Sequence, residues 1–385
     1  MSMNSSGHLF AFTTFGESHG EAVGVVVDGC PPGIPISEEE IQFDLDRRRP
    51  GQSSVTTPRK EADQIKIYSG LMDGKTTGTP IMMMVFNGDH RSRDYSKIKD
   101  QYRPMHADYT YDMRFGIRDY RGGGRSSARE TLARVAAGAI AKKALKQIGN
   151  IQVIGHTLSV GTIRAETFDA SVIEENPVRC ADAEAAKKME EFILQMKKEQ
   201  DSCGGVVQVV AKNVPAGLGS PTYWKLKAEL ASGLMGINAV QGVEYGSGFR
   251  GATMKGSEHN DEFITDDNGD VRTKTNNHGG ILGGISTGED IIVNTAFKPV
   301  SSLPRAQNSI NTSLEAVSVQ TFGRHEKCVV PRAVPICEAM VAVILLDHWL
   351  ISQAYQQHVS LVREPLLASK GIQPVTPFPE ETNED

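Results

Sequence analysis

The segment at residues 339–351, AMVAVILLDHWLI, interrupts its apolar run only at Asp347 and His348. A helix that is apolar on all sides has no face to show to water, so other elements or lipid must enclose it. The two ionisable residues and the short apolar length argue against a bilayer span. The chain is therefore expected to build its other layers around a buried helix running from about residue 331 to 355. A second helix is expected in RSSARETLARVAAGAIAKKAL, where Leu132, Val135, Ala136, Ala139 and Ile140 share one face. Many of these positions are alanine, which lets a neighbouring element approach closely. With 385 residues, 39% hydrophobic and 23% charged, the chain has material for a sizeable core.

Other elements are expected around these two helices. HLFAFTTF and AVGVVVDG flank GESHG as strand, turn and strand, because both are rich in β-branched or aromatic residues and bounded by glycine. Ser37 and Glu40 make a capping box for the helix EEEIQFDLDRRR, which Pro50-Gly51 ends. Ser127 and Glu130 make a second one at the alanine-rich helix. IQVIGHTLSV, VVQVVAKNV and DIIVNTAF read as strands. DAEAAKKMEEFILQMKKEQ and PTYWKLKAELASGLM read as helices, the latter starting at Pro221. Residues 87–121 are polar without a sustained period, and a loop that long is usually functional. NNHGGILGGISTG reads as a glycine-rich loop. No repeat or linker divides the chain, so residues 1–370 are expected to form one catalytic domain. The acidic, proline-containing tail at 371–385 is expected to be disordered.

The formal net charge of −6 argues against a general nucleic-acid binder. The basic residues are nevertheless clustered. Residues 47–60 carry five Lys or Arg and no acid, and residues 91–129 carry ten against five acids. Such confinement suits a small anionic ligand. The five cysteines form no C-x-x-C pair and suit reduced thiols in the cytoplasm, and no signal-peptide pattern opens the chain. No histidine or cysteine spacing matches a zinc site, so no metal is expected.

The most specific constellation is RDYRGGGRSSARE. Three glycines precede a helix N-terminus, whose free amides and dipole attract an anion, and Arg121, Arg125 and Arg129 add forked donors. The competing reading is a solvated basic loop with a glycine hinge. NNHGGILGGISTG offers further unobstructed amides, and KPVSS adds Lys298 and two hydroxyls. Gly16 to Gly20 spells G-x-S-x-G, yet a nucleophile elbow needs a helix after its serine, and here a valine-rich strand follows. Ser18 is therefore disfavoured as an acyl-enzyme nucleophile, and a tight glycine-bounded turn stands beside it as the plain reading. Imidazole is the side-chain type suited to acid–base work near neutrality, which keeps His19 and His106 as candidates beside the plain reading of a satisfied structural role. Arg324 and Glu326 flank the buried helix, either at a site or as an anchoring ion pair. From the residues alone, the chain is an anion-handling enzyme with phosphorylated ligands, and its reaction stays unnamed.

Taken together, GESHGEAVGVVVDG, RRRPGQSS, RPMHADYTYD, RDYRGGGRSSARET, NNHGGILGGISTG, FKPVSS and GRHEKCVVPRAVPICEAM resemble the chorismate synthase family in order and spacing, from about residue 10 to 350. The resemblance implies an α+β fold, a β-α-β sandwich with helices between antiparallel sheets, assembled as a homotetramer in the cytoplasm. It implies the 1,4-anti elimination of phosphate from 5-enolpyruvylshikimate 3-phosphate to give chorismate, the last step of the shikimate pathway. Reduced FMN would be the cofactor, with NADPH or an external flavin reductase entering only to reduce it. Neither nucleic acid nor membrane would be a partner. Carried over by position, His19 resembles the acid that protonates the departing phosphate, and His106 the residue that protonates or stabilises the reduced flavin. Ser18 would belong to a proton relay. Arg49, Arg59, Arg103, Arg129 and Arg324 would bind substrate. Arg125, Ser126, Ser127, Asn238, Ala239 and Gly283 would hold the flavin, together with Lys298, Pro299, Val300, Ser301, Ser302 and Arg324.

Three positions depart from the family pattern. Glu326 stands where the family usually has an aspartate implicated in deprotonating flavin nitrogen 5, one methylene shorter. Ser54 replaces a residue that is often basic, and Met105 replaces a glycine or another small residue beside His106. Two other readings keep a place. One is a flavin- or phosphate-binding homologue impaired by these changes, and the other is a serine hydrolase using Ser18.

Overall fold

The computed structural model describes residues 3–51, 53, 55–56, 63–88, 99–121, 123–320 and 326–369. A first antiparallel sheet is built from Ser5–Ser6 (β1), Ala11–Gly16 (β2), Ala22–Asp28 (β3), Ile65–Ile67 (β4) and Ile81–Phe86 (β5). Its order is β1-β2-β3-β5-β4. A second antiparallel sheet uses Gln152–Val160 (β6), Ile163–Arg164 (β7), Gly205–Lys212 (β8), Val240–Tyr245 (β9) and Ile291–Phe297 (β10). Its order is β9-β10-β8-β6-β7. The main helices are Glu38–Arg48 (α1), Asp108–Phe115 (α2), Thr131–Gly149 (α3), Ala183–Lys198 (α4), Leu226–Met235 (α5) and Val330–Ser369 (α6).

Strand periodicity dictates the layering. Val23, Val25 and Val27 on β3 pair across the sheet with Val85, Met83 and Ile81 on β5, and all six are fully buried. That face meets α3, which also touches β2 and packs along α6. The opposite side of α6 meets β6 and β8, while α1 lies against both α3 and α6. Helices thus fill the space between two half-buried sheets, as a β-α-β sandwich requires. The two central helices cross at Gly138, where an added Cβ would lie 2.2 Å from Ala339 Cβ. No side chain larger than hydrogen fits that crossing. The stretch Val330–Tyr355 has mean hydropathy 1.8, and 83% of its most apolar window is buried inside the protein, so it is a core helix.

A charged network inside this sandwich is closely paired. Arg47 of α1 donates to both carboxylate oxygens of Glu338 on α6, at 2.6 and 3.0 Å, and also meets Asp44 and Glu174. Lys142 of α3 reaches Asp44 at 2.6 Å and Glu338 at 3.3 Å, and the Gly155 amide donates to Glu338 Oε1 at 2.8 Å. Burial alone would push the Glu338 carboxyl up, but Arg47 and Lys142 outweigh it and hold it down at about 2. Near the middle of α6, Asp347 accepts the backbone N–H groups of His8, Leu9 and Phe10 at 2.9, 2.7 and 2.9 Å. That carboxylate fastens the chain leading into β2.

The expected strand-turn-strand around GESHG, the Ser37–Glu40 capping box and the enclosed C-terminal helix are all present. Four boundaries differ from expectation. The polar segment contains α2, because Asp108 in its first turn is fixed by Arg103 and Gly116 ends it in a left-handed conformation. Ser127 caps a short 3₁₀ turn by accepting from Arg129 N, while Glu130 turns to Arg134, so α3 begins only at Thr131. The helix expected from Pro221 starts at Leu226. The glycine-rich NNHGG segment holds a small hairpin, Ile281–Leu282 with Ile285–Ser286, turning at Gly283. The proposed disordered tail lies outside the described residues.

Candidate functional site

A cavity of about 890 Å³ opens where the β2–β3 turn, the segment before α2, the glycine-rich loop before α3 and the start of α6 converge. Each wall has a local cause. Gly16 (φ +85°) ends β2 so that Glu17 to Glu21 can form the tight turn, which the Gly20 N–H to Glu17 O bond at 3.1 Å closes. This turn carries Ser18 and His19, both about 95% buried, and Ser18 is part of the cavity wall. The glycine-rich loop docks on the same turn. Arg125 donates to Gly16 O at 3.1 Å and to Thr14 Oγ1 at 2.6 Å, and Ser18 N reaches Gly124 O at 3.5 Å. The strand after the turn leaves no helix dipole behind Ser18, so the nucleophile-elbow reading has no structural support.

The second wall carries His106. Arg103 forks onto Asp108, with Nε to Oδ2 and Nη2 to Oδ1 both at 2.7 Å. His106 Nδ1 lies 3.0 Å from Asp108 Oδ1 and 3.0 Å from Arg103 Nη2. Burial alone would raise the Asp108 carboxyl, but the hydrogen bonds from Arg103 and His106 drive it far below the ordinary carboxylate range. Nδ1 is thus engaged with the ion pair, and Nε2 is the nitrogen left for other chemistry. Gly123 (φ +86°) lies against this ring, where an added Cβ would stand 3.1 Å from His106 Cε1. A side chain there would crowd the imidazole.

Met105, next to His106, has φ +60°, the left-handed region in which a Cβ is strained. Its carbonyl accepts from Lys298 Nζ at 3.0 Å, which holds the loop with residues 298–302 against this wall. Met105→Gly is expected to stabilise the protein by about 1 kcal/mol by relieving that strain. A thermal midpoint that stays put or falls would show that the Met105 side chain compensates for its backbone.

Several cations converge from below. Arg48 and Arg129 both line the cavity and share one fully enclosed carboxylate. Asp63 Oδ2 takes Arg48 Nη1 at 3.1 Å, and Oδ1 takes Arg129 Nη1 at 2.8 Å. Burial lowers the Arg48 guanidinium to about 10 despite Asp63. Glu326, 9% exposed, stands at the wall with Oε1 2.5 Å from Arg332 Nη1, so it also anchors the start of α6. Among the described residues, no group of three or more His, Cys, Asp or Glu side chains is arranged to hold a metal ion.

Of the residues expected from sequence, Ser18, Arg103, His106 and Arg129 line this cavity, as do Arg125, Ser126, Ser127, Asn238 and Ala239. Lys298, Pro299, Val300, Ser301, Ser302 and Glu326 line it too. His19 lies beside Ser18 in the turn without being part of the lining. Arg49 caps α1, donating its N–H to Leu45 O, with its side chain 3.4 Å from Asp46; its neighbour Arg48 faces the cavity instead. Gly283 belongs to the small hairpin and does not line the cavity. Arg59, Arg324 and Ser54 lie outside the described residues. Sequence reasoning missed Arg48, Asp63, Asn87 and Arg332. Only Arg48 carried a signal, as the middle residue of an arginine triplet that ends a helix.

The family model described as chorismate synthase matches residues 10–350. The chain is 54% identical over 351 residues to the chorismate synthase of Rippkaea orientalis, covering 90% of this chain and 97% of that one. It is 55% identical over 355 residues to the chorismate synthase of Synechococcus elongatus, covering 91% and 98%. A crystal structure of chorismate synthase superposes with a TM-score of 0.72 at 30% identity, covering 94% of this chain and 99% of that one.

Proposed function

The chain belongs to the chorismate synthase family, and we propose that the cavity divides the family's reaction among its own residues as follows. The reaction is the 1,4-anti elimination of phosphate from 5-enolpyruvylshikimate 3-phosphate to give chorismate, and the enzyme is a carbon–oxygen lyase of the shikimate pathway. The observation that carries the assignment is convergence. Ser18, Arg103, Arg129 and Glu326, spread over some three hundred residues of sequence, line one cavity.

A substrate with one phosphate and two carboxylates needs cations that are already in place. Arg48, Arg103 and Arg129 meet that need, each steered by a carboxylate, Asp63 or Asp108, that takes one side of its guanidinium. His19, in the turn beside Ser18, gives a proton to the phosphate oxygen as the C–O bond breaks, so that no fully charged group has to leave. Ser18 relays protons along the same wall.

The residues present fit a flavin. Asn238 Oδ1 is buried with no hydrogen-bond partner among the described residues, while its Nδ2 donates to Ser126 O at 3.0 Å. Gly123 keeps the space beside His106 clear, and Lys298 with Ser301 and Ser302 offers a cation and hydroxyls suited to a phosphate. These residues would hold reduced FMN, which would supply transient electron donation with no net redox change. His106 holds or moves a proton at Nε2. Glu326, fixed by Arg332, takes up a proton at the cavity wall on its own carboxylate, which reaches one methylene further than the family's usual aspartate. The flavin is reduced by NADPH or by a separate reductase, and the chain works as a cytoplasmic homotetramer.

Anaerobic incubation of the full chain with 5-enolpyruvylshikimate 3-phosphate and chemically reduced FMN is expected to release chorismate and phosphate in equal amounts. Flavin binding without either product would overturn the activity and leave an impaired homologue.

A further inference from the structure

Asn87 stands one residue beyond β5, where the ladder with β3 runs out at the Ala22–Phe86 pair. Its backbone N–H donates to Glu21 O at 2.9 Å and extends the pairing by one step. Its side chain bridges two parts of the site. Nδ2 donates to Glu17 O at 3.1 Å and to Gly20 O at 2.9 Å, across the turn that bears Ser18 and His19. Oδ1 accepts from Arg129 Nε at 2.9 Å. Arg129 continues to Asp63 at 2.8 Å, and Asp63 to Arg48 at 3.1 Å. An unbroken polar chain therefore runs from the turn, through one amide, to two arginines of the cavity.

We propose that Asn87 is a positioning residue that sets the distance and direction between the His19 turn and Arg129, so that a phosphate held by the arginine lies within reach of the proton donor. The proposal rests on the roles given above to His19 and Arg129. Asn87 does not line the cavity, so it acts only through its neighbours. A primary amide is the side chain that suits this place. It offers two N–H donors to two carbonyls and a carbonyl oxygen to a guanidinium, within a single plane. Aspartate would strengthen the hold on Arg129, yet it would set a carboxylate oxygen against the Glu17 and Gly20 carbonyls. The turn would lose its clasp while the arginine kept its partner.

A double-mutant cycle tests this, using Asn87→Ala, His19→Ala and the double variant. For each, kcat and KM are measured, with substrate affinity of the flavin-free protein by calorimetry. Asn87→Ala is expected to lower kcat by about 10- to 100-fold, the scale of a misplaced reacting pair, and to shift the substrate dissociation constant by less than about threefold. Most of that loss should vanish in the His19→Ala background, since a misplaced donor costs nothing once the donor is gone. Losses that multiply within about twofold in the double variant would overturn the proposal, as would an unchanged kcat in Asn87→Ala. If His19→Ala alone runs near the wild-type rate, the role of His19 fails and the proposal falls with it. If His19→Ala is slow but the losses multiply, only the proposal fails. Should Asn87→Ala not fold, the same cycle with Asn87→Asp decides, and wild-type turnover in Asn87→Asp would overturn the idea.

Discussion

Replacing Arg47 by alanine is expected to lower the stability of the fold by about 3–5 kcal/mol, the usual cost of stripping one partner from an enclosed ion pair. Arg47 is the main cation facing Glu338, whose side chain is 4% exposed, and it also meets Asp44 and Glu174. Its loss would leave Lys142, 3.3 Å away, to share Glu338 and Asp44 without help. A urea or thermal midpoint equal to wild type would refute this account of how α1, α3 and α6 are joined. The pH dependence has a definite sign. Glu338 titrates at about 2 in the folded protein, below its ordinary 4.5. Its contribution is thus present above the ordinary value and lost as pH falls toward about 2. In Arg47→Ala the carboxyl climbs, because burial persists while the main compensating charge is gone. Lowering the pH then neutralises the stranded charge, so the gap between variant and wild type should narrow on acidification. A gap that widens would mean that Glu338 is not the group left unpaired. Arg47→Ala/Glu338→Gln should recover part of the loss at neutral pH.

His19→Ala is expected to reduce turnover by roughly 10²-fold, the lower end of what a positioned proton donor contributes. The residue is 4% exposed in a turn fixed by the Gly20 amide, by Asn87 and by the glycine-rich loop. Its removal should therefore change the chemistry more than the architecture. The KM for substrate should move little, since the substitution leaves the arginines proposed to bind it in place. A kcat within about threefold of wild type would remove His19 from the mechanism. His106→Ala should differ in kind. Its imidazole borders Gly123 and the loops that fit a flavin, so flavin affinity as well as kcat is expected to drop. Equal effects of the two substitutions on flavin binding would argue against separate roles.

Local signals explain most of what was legible in the sequence. The GESHG turn is spelled out by two valine- or aromatic-rich runs and their glycines, and α1 by Ser37 and Glu40. The enclosure of the first half of α6 follows from the nearly unbroken apolar run at residues 339–351. What stayed hidden depends on partners far away in sequence. Nothing near Arg47 announces Glu338, 291 residues on, and nothing in RRRP says which arginine turns inward. Helix phase decides that: Arg48 is the last residue of α1 and shares the face of Ile41 and Leu45, which the core buries, whereas Arg49 has already left the helix. α2 was obscured because its anchor is Asp108, whose side chain serves Arg103 and His106 rather than a local cap. Asn87 and Asp63 are single polar residues beside strands, without periodicity to mark them. Several motifs in family order marked the cavity walls, and they include Arg125 and Lys298, which fasten one wall to another, but Asn87 and Asp63 fall in none of them.

The bonds from Asp347 to the amides of His8, Leu9 and Phe10 also bear on how the chain is made. The ribosome delivers Asp347 some 339 residues after His8, roughly 20 to 70 seconds later at ordinary elongation rates. Until α6 emerges, α3 lacks the helix it packs along, and the strand leading into the GESHG turn has nothing to hold its beginning. The nascent protein therefore spends most of its synthesis with an unfinished helical layer, a state in which chaperone binding has the most to protect. A message interrupted shortly before codon 347 would yield a chain holding nearly every residue of the cavity and no means of closing it.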